Sequence, residues 1–185
     1  GNARLEKYYP VLKKQLKSTN SNLVKTALFS SAQSLDAQFI FDIISRLSEK
    51  EYRQLATDSL IFYGESIIEI LYRAIKFEEI NPEDSPFVIS VIEKFASQKA
   101  VNKLMKLTED SEHSIKIEAI EALKRLKWKY PNLVIKDRFI VDKILDECHL
   151  YQNTLSVIHS QIVIQFKTKS GSKKTKENQA RATLI

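Results

Sequence analysis

Residues 104–126 read LMKLTEDSEHSIKIEAIEALKRL. Leu104 and Leu107 close one apolar stripe, Glu109-Asp110-Ser111 makes an acidic turn, and Ile115-Lys116 opens a second stripe through Ala119, Ile120, Leu123 and Leu126. Spacings of three and four residues are the helical period. The stretch therefore predicts two helices across a short turn, with Ala119 small enough to let them approach closely.

The same period continues on both sides. Towards the N-terminus, Tyr9-Val11-Leu12-Leu16 forms a short stripe in which Pro10 suits a first helical turn. Asn20-Ser21-Asn22 separates it from Leu23-Ala27-Leu28-Ala32, and Asp36 caps the stripe Phe39, Ile40, Ile43, Ile44 and Leu47. Ser48 and Glu51 have the spacing of a capping box ahead of a helix over 52–63, and Gly64 stops that helix. A helix over 66–80 turns Ile67, Ile70, Leu71, Ala74 and Ile75 inward. After the loop Asn81-Pro82-Glu83-Asp84-Ser85-Pro86, a helix covers 87–96. Beyond Tyr130-Pro131-Asn132, a longer one runs from Asp137 to about Phe166, with Ile140, Ile144, Leu145, Cys148, Tyr151, Leu155 and Ile158 as its inner stripe. Lys167 to Asn178 is rich in Lys and Ser and reads as a mobile linker.

Short helices in antiparallel pairs build either a bundle or a stack of repeats, and internal repetition decides between them. Leu16, Val24, Lys25, Leu28 and Ala32 fall where Leu107, Ile115, Lys116, Ala119 and Leu123 do. Tyr52, Arg53, Ala56, Leu60 and Tyr63 give a looser copy, and Phe87, Val88, Val91 and Phe95 another. Lys25, Arg53, Val88 and Lys116 thus recur at two-helix intervals. The unit at 104–126 resembles a HEAT repeat, in which two leucines, an acidic turn, an apolar-basic pair and an Ala/Leu stripe follow one another. The resemblance covers about residues 9–128. It implies an all-α fold, an α-α superhelix of about four HEAT-like helix pairs, followed here by the long C-terminal helix. The expected organisation is a repeat domain over 1–166, a basic linker over 167–179 and the start of a further helix over 180–185.

Composition excludes several alternatives. The 185 residues include three glycines, which stand far apart at positions 1, 64 and 171, so no glycine-rich loop can bring backbone against a phosphate. Scarce Gly and Pro also disfavour a sandwich or barrel. The single Cys148 cannot form an internal disulfide, and no apolar run reaches the length of a transmembrane helix, so the expected location is cytoplasmic. Gly1 at the start and the apolar Ala182-Thr183-Leu184-Ile185 at the end suggest a piece of a longer protein.

The net charge of +6 is unevenly placed. Residues 167–185 carry six bases against Glu177, leaving 23 bases and 22 acids in the rest. A near-neutral body does not suit a polyanion ligand. One cluster nevertheless stands out: Lys124, Arg125, Lys127 and Lys129 interleave with Trp128 and Tyr130, a pattern that can combine phosphate contact with stacking. They are the candidate binding residues. The bland reading has the cations favoured by the helix C-terminal dipole and the aromatics capping the core.

No catalytic or metal constellation emerges. Asp146 and His149 have ligand spacing on one helix, but nothing repeats it, and Cys148 is expected to pack inward. Gly64-Glu65-Ser66 lacks the second glycine of a nucleophile elbow. No enzyme activity, cofactor or metal is expected. Lys25, Arg53 and Lys116 are expected to pair with acids of their own or adjacent turns, such as Asp58 or Asp110.

The function expected is therefore that of a non-catalytic interaction or scaffold module, which binds a protein partner or another part of its parent chain. The contact face would be the concave surface of the second helices. A second resemblance sharpens this. Leu145, Glu147, Leu150, Tyr151, Thr154 and Leu155, with Ala180, Arg181, Leu184 and Ile185 after the linker, are similar to HEAT regions attached to bacterial ATP:ADP-antiporter-like transporters. That implies the cytosolic regulatory part of a membrane transporter, with membrane contact only through the parent protein. The alternative is a nucleic-acid-binding domain like the HEAT-like DNA-repair glycosylases. Against it, residues 36–84 hold 11 acids and 5 bases, which interrupts any basic track.

Overall fold

The computed structural model describes residues 7–110 and 112–182. It is all-helical, with nine α-helices and no strand among the described residues. The chain divides into two units, Gly1–Val134 and Ile135–Ile185.

The first unit holds eight helices: α1 (Tyr9–Leu16), α2 (Ser21–Ser34), α3 (Ile40–Ile44), α4 (Arg53–Phe62), α5 (Ile68–Lys76), α6 (Ser85–Lys94), α7 (Gln98–Asp110) and α8 (His113–Lys129). Short 3-10 turns at Ala37–Phe39, Glu65–Ile67 and Pro82–Asp84 lead into α3, α5 and α6. Local chemistry accounts for several starts. Asn20 accepts hydrogen bonds from the amides of Asn22 and Leu23, and Asp36 accepts from that of Gln38, which satisfies donors that a helix start leaves open. Pro10, Pro82 and Pro86 lie in first turns, where a missing N–H costs nothing.

Helix ends use a different device. Gly64 has φ +74°, but Leu35, Glu78 and Ala96 also adopt positive φ, at 52°, 54° and 50°. A chain so poor in glycine thus turns out of three helices on residues with side chains, against an intrinsic cost of about 1–2 kcal/mol each.

Each odd-numbered helix packs on the even-numbered one that follows it, while the even helices lie side by side in the order α2, α4, α6, α8. α1 also packs on α3, α5 on α7, and α6 on α7. The core between them contains Leu16, Leu28, Phe39, Ile40, Leu60, Leu71 and Ile92, all fully buried. Ala27, Ala56 and Ala119 are buried too, as close approach requires. Tyr9 meets Phe39 edge to face, with ring centroids 5.0 Å apart.

The capping box expected at Ser48 and Glu51 does not form: no side chain caps α4 at Tyr52. Glu51 instead accepts from the Ser21 hydroxyl and, at 2.9 Å, from Lys25 Nζ, while Ser48 hydrogen-bonds the side chain of Asp84. Partners from other helices outcompete the local motif. The turn at 109–111 is also shorter than expected, because α7 continues to Asp110; Ser111 lies outside the described residues.

The second unit contains α9 (Asp137–Ala182), 46 residues of helix and about 70 Å long at 1.5 Å per residue. It runs through the Lys/Ser-rich stretch read as a linker. That stretch contains no proline and a single glycine, so nothing in it forces the backbone out of a helix. The expected start of a further helix, 180–185, falls partly within α9 and partly, from residue 183, outside the described residues. The seven residues of the inner stripe, Ile140, Ile144, Leu145, Cys148, Tyr151, Leu155 and Ile158, are exposed. Cys148 does not pack inward: periodicity shows which residues share a face, not that anything lies against it.

Candidate functional site

The last turns of α8 bring Lys124, Arg125, Lys127 and Lys129 to one end of the first unit, and the chain engages all four. Arg125 is the most constrained. Its Nε lies 3.0 and 3.1 Å from the two oxygens of Glu93 on α6, and its Nη2 donates to Glu93 at 2.8 Å and to Glu118 at 3.1 Å. This bidentate geometry suits a planar guanidinium, and the hydrogen bonds to Glu93 foremost, then Glu118, raise its pKa. Lys124 pairs with Glu121 at 3.2 Å, one turn back. Lys127 Nζ donates to the carbonyls of Pro131 at 2.9 Å and Leu133 at 3.0 Å, which closes the chain behind α8. Lys129 Nζ sits 5.5 Å from the centre of the Tyr130 ring.

The aromatics between them behave differently from a core cap. Trp128 is 89% exposed, and Tyr130 is exposed as well. A depression of about 340 Å³ lies beside them, lined by Glu93, Arg125, Leu126, Trp128 and Tyr130 among others. Its walls carry both charge signs, so it offers an apolar rim around an internal ion pair and not a phosphate cradle.

Two of the basic residues at the repeat positions, Lys25 and Arg53, serve the fold. Lys25 reaches Glu51 on the turn before α4, and the hydrogen bond from Ser21, then that from Lys25, holds the Glu51 carboxyl below its ordinary value. Arg53 does not pair with Asp58, which accepts from Gln54. It donates to the carbonyls of Leu47 at 2.8 Å and Ser48 at 2.9 Å and lies 4.1 Å from the centre of the Phe87 ring on α6. In the odd row, Lys103 pairs with Glu69, Lys99 donates to the Glu65 carbonyl at 2.8 Å, and Arg46 Nε donates to the Leu16 carbonyl at 2.6 Å. Long basic side chains thus tie the turn after α3 to α1, and α7 to α5 and the 3-10 turn that leads into it.

Two features escaped sequence reasoning. Phe29 on α2 and Phe62 on α4 are 58% and 61% exposed, and with Ile117 and Trp128 on α8 they leave large apolar groups on the even row. Phe29 and Phe62 stand directly beside the stripe residues Leu28 and Tyr63 and went unread, whereas Trp128 was read only as a stacking or core-capping group. The other feature is Asp84, buried before α6 with only 3% exposure. Burial pushes its carboxyl up, while hydrogen bonds from Ser48 and Asn81 favour the charged form. It joins the turn after α3 to the loop before α6.

Among the described residues no three His, Cys, Asp or Glu side chains converge on a metal-sized space, and Asp146 and His149 are both exposed. No described helix is long and apolar enough to cross a membrane. No protein-family model matches the chain, and neither does any curated protein.

Proposed function

We propose that residues 9–129 form a HEAT-like α-α superhelix of four helix pairs, a non-catalytic module that holds a protein partner, or another part of its parent chain, against the even-numbered helices. The observation that carries this reading is the side-by-side row α2, α4, α6, α8, which leaves Phe29, Phe62, Ile117 and Trp128 exposed while its polar side chains bind one another. Rows of this kind give helical-repeat proteins their extended binding surfaces. Exposed aromatics among self-satisfied charges suit a protein surface better than a polyanion, because a phosphate would have to break pairs such as Arg125–Glu93. A cytosolic regulatory part of a membrane transporter is the parent that best fits the C-terminal resemblance.

Photo-crosslinking tests the proposal directly. A photoreactive residue at Phe62 or Trp128, in the parent protein expressed in its own cells, is expected to give one discrete adduct, abolished by Phe29→Asp. A photoreactive residue at Glu78, beyond the end of α5, serves as the control. Equal, diffuse labelling from all three positions contradicts the assignment. A labelled DNA duplex that bound at low salt and lost affinity steeply as salt rose would transfer the case to nucleic acid.

A further inference from the structure

Along α9, Val141, Ile144, Cys148, Tyr151, Leu155, Ile158 and Ile162 follow one another at alternating intervals of three and four residues, and all seven are exposed. A strict 3.5-residue period differs from the 3.6 of a helix lying on a globular core. It marks the seam of a left-handed coiled coil, in which each apolar residue enters a hole on a facing helix.

We infer that α9 pairs with α9 of a second copy of this chain in an antiparallel coiled coil. Charge argues for self-association. Ile140, Leu145, Glu147, Gln152, Thr154, His159 and Gln161 occupy positions that flank the seam, where coiled coils choose partners by charge. With His neutral Glu147 alone is charged, and in the antiparallel register below it lies level with Gln152 of the second copy, so the flanks set no like charges against each other. Area argues the same way. In the antiparallel register described below the six seam residues from Val141 to Ile158 of each copy face one another, and at roughly 80–100 Å² each these twelve side chains cover roughly 960–1,200 Å², about the 1,000 Å² of a specific interface.

Side-chain size sets the direction. In an antiparallel register centred between positions 149 and 150, Val141 meets Ile158 of the second copy, Ile144 meets Leu155, and the small Cys148 meets the large Tyr151. Each layer then holds a similar volume, as close packing demands. In a parallel pair Cys148 would face Cys148 and leave a void, while Tyr151 would crowd Tyr151 one layer away. Ile144 and Ile158 also occupy the seam position where parallel dimers favour leucine.

Sedimentation equilibrium of the 185-residue chain at tens of micromolar is expected to give twice its 21.4 kDa. Leu155→Asp, in the seam, should halve that mass, whereas Ser160→Asp, on the opposite side of the helix, should leave it unchanged. Disulfide capture fixes the direction. Cys148→Ala chains carrying Val141→Cys should link under mild oxidation only when mixed with Cys148→Ala chains carrying Ile158→Cys. A native chain that sediments at 21.4 kDa or as a trimer or tetramer overturns the inference, and so does a covalent dimer from the Val141→Cys chain alone. A monomeric chain would leave the even-helix surface untouched, since Phe29 and Phe62 lie in the other unit.

Discussion

Removing the Arg53 side chain is expected to cost about 3 kcal/mol, and the structure shows where each part arises. The guanidinium donates at 2.8 and 2.9 Å to two carbonyls of the turn after α3, and it covers the Phe87 ring at 4.1 Å. Hydrogen bonds from a charged donor contribute about 1.5–3 kcal/mol each when buried, and the half-exposed position brings each nearer ~1 kcal/mol. The ring contact adds about 0.5–1 kcal/mol, and the packed stem a little more. Arg53→Ala should therefore lower Tm by about 10 °C in a unit of this size. Arg53→Lys keeps the charge but loses the fork, and about half of the loss should remain. The acceptors are carbonyls, so the deficit should be the same in 50 mM and 500 mM NaCl, unlike that of an ion pair. Urea unfolding followed by circular dichroism at both salts measures this, and a cycle with Phe87→Leu isolates the ring contact. If Arg53→Ala unfolds within 0.5 kcal/mol of the parent (about the error of such a cycle), or if its deficit fades in high salt, the reasoning fails.

Three further outcomes are expected. Gly64→Ala should destabilise by about 1–3 kcal/mol although a Cβ there would meet nothing within 4 Å, because φ +74° with ψ −174° is a glycine conformation; a neutral urea midpoint would refute the strain. Tyr63→Phe should cost about 1–2 kcal/mol, since its hydroxyl donates to the carbonyls of Ser31 at 3.1 Å and Asp36 at 3.0 Å. Burial pushes the Tyr63 pKa up to about 12, so that loss should be constant from pH 6 to pH 9. Asp84 is held above the ordinary carboxyl value, so its protonated form stabilises the fold in acid and the benefit disappears as pH rises through the folded value. Asp84→Asn should accordingly raise the urea midpoint at pH 7 and leave it unchanged near pH 3.5; a lower midpoint at pH 7 would reverse the assignment.

Helix positions were largely legible because they depend on local periodicity. Leu104, Leu107, Ala119, Leu123 and Leu126, which define the most regular unit, are all buried. Helix ends were less so: Gly64 announces its turn, whereas Leu35, Glu78 and Ala96 adopt the same half of backbone space with nothing in their side chains to signal it. Polar partners were the least legible. Glu51 obeys Ser21 and Lys25, 30 and 26 residues away, and Arg125 finds Glu93 at a separation of 32. Spacing along one helix cannot reveal a carboxylate that arrives from another. Of the four cations that resemble a binding cluster in sequence, Arg125 is that case, whereas Lys124, Lys127 and Lys129 find their partners within six residues.

The order of helix contacts also bears on how the chain acquires its structure. In the first unit each principal contact joins a helix to the next one or the next but one. Closing such small loops costs little entropy, and folds dominated by short-range contacts form fast. A helix leaving the ribosome finds its partners among segments already made, with no need to wait for a distant strand or domain. At about 5–20 residues per second, each pair has seconds to settle before the next one arrives, so assembly can keep pace with synthesis.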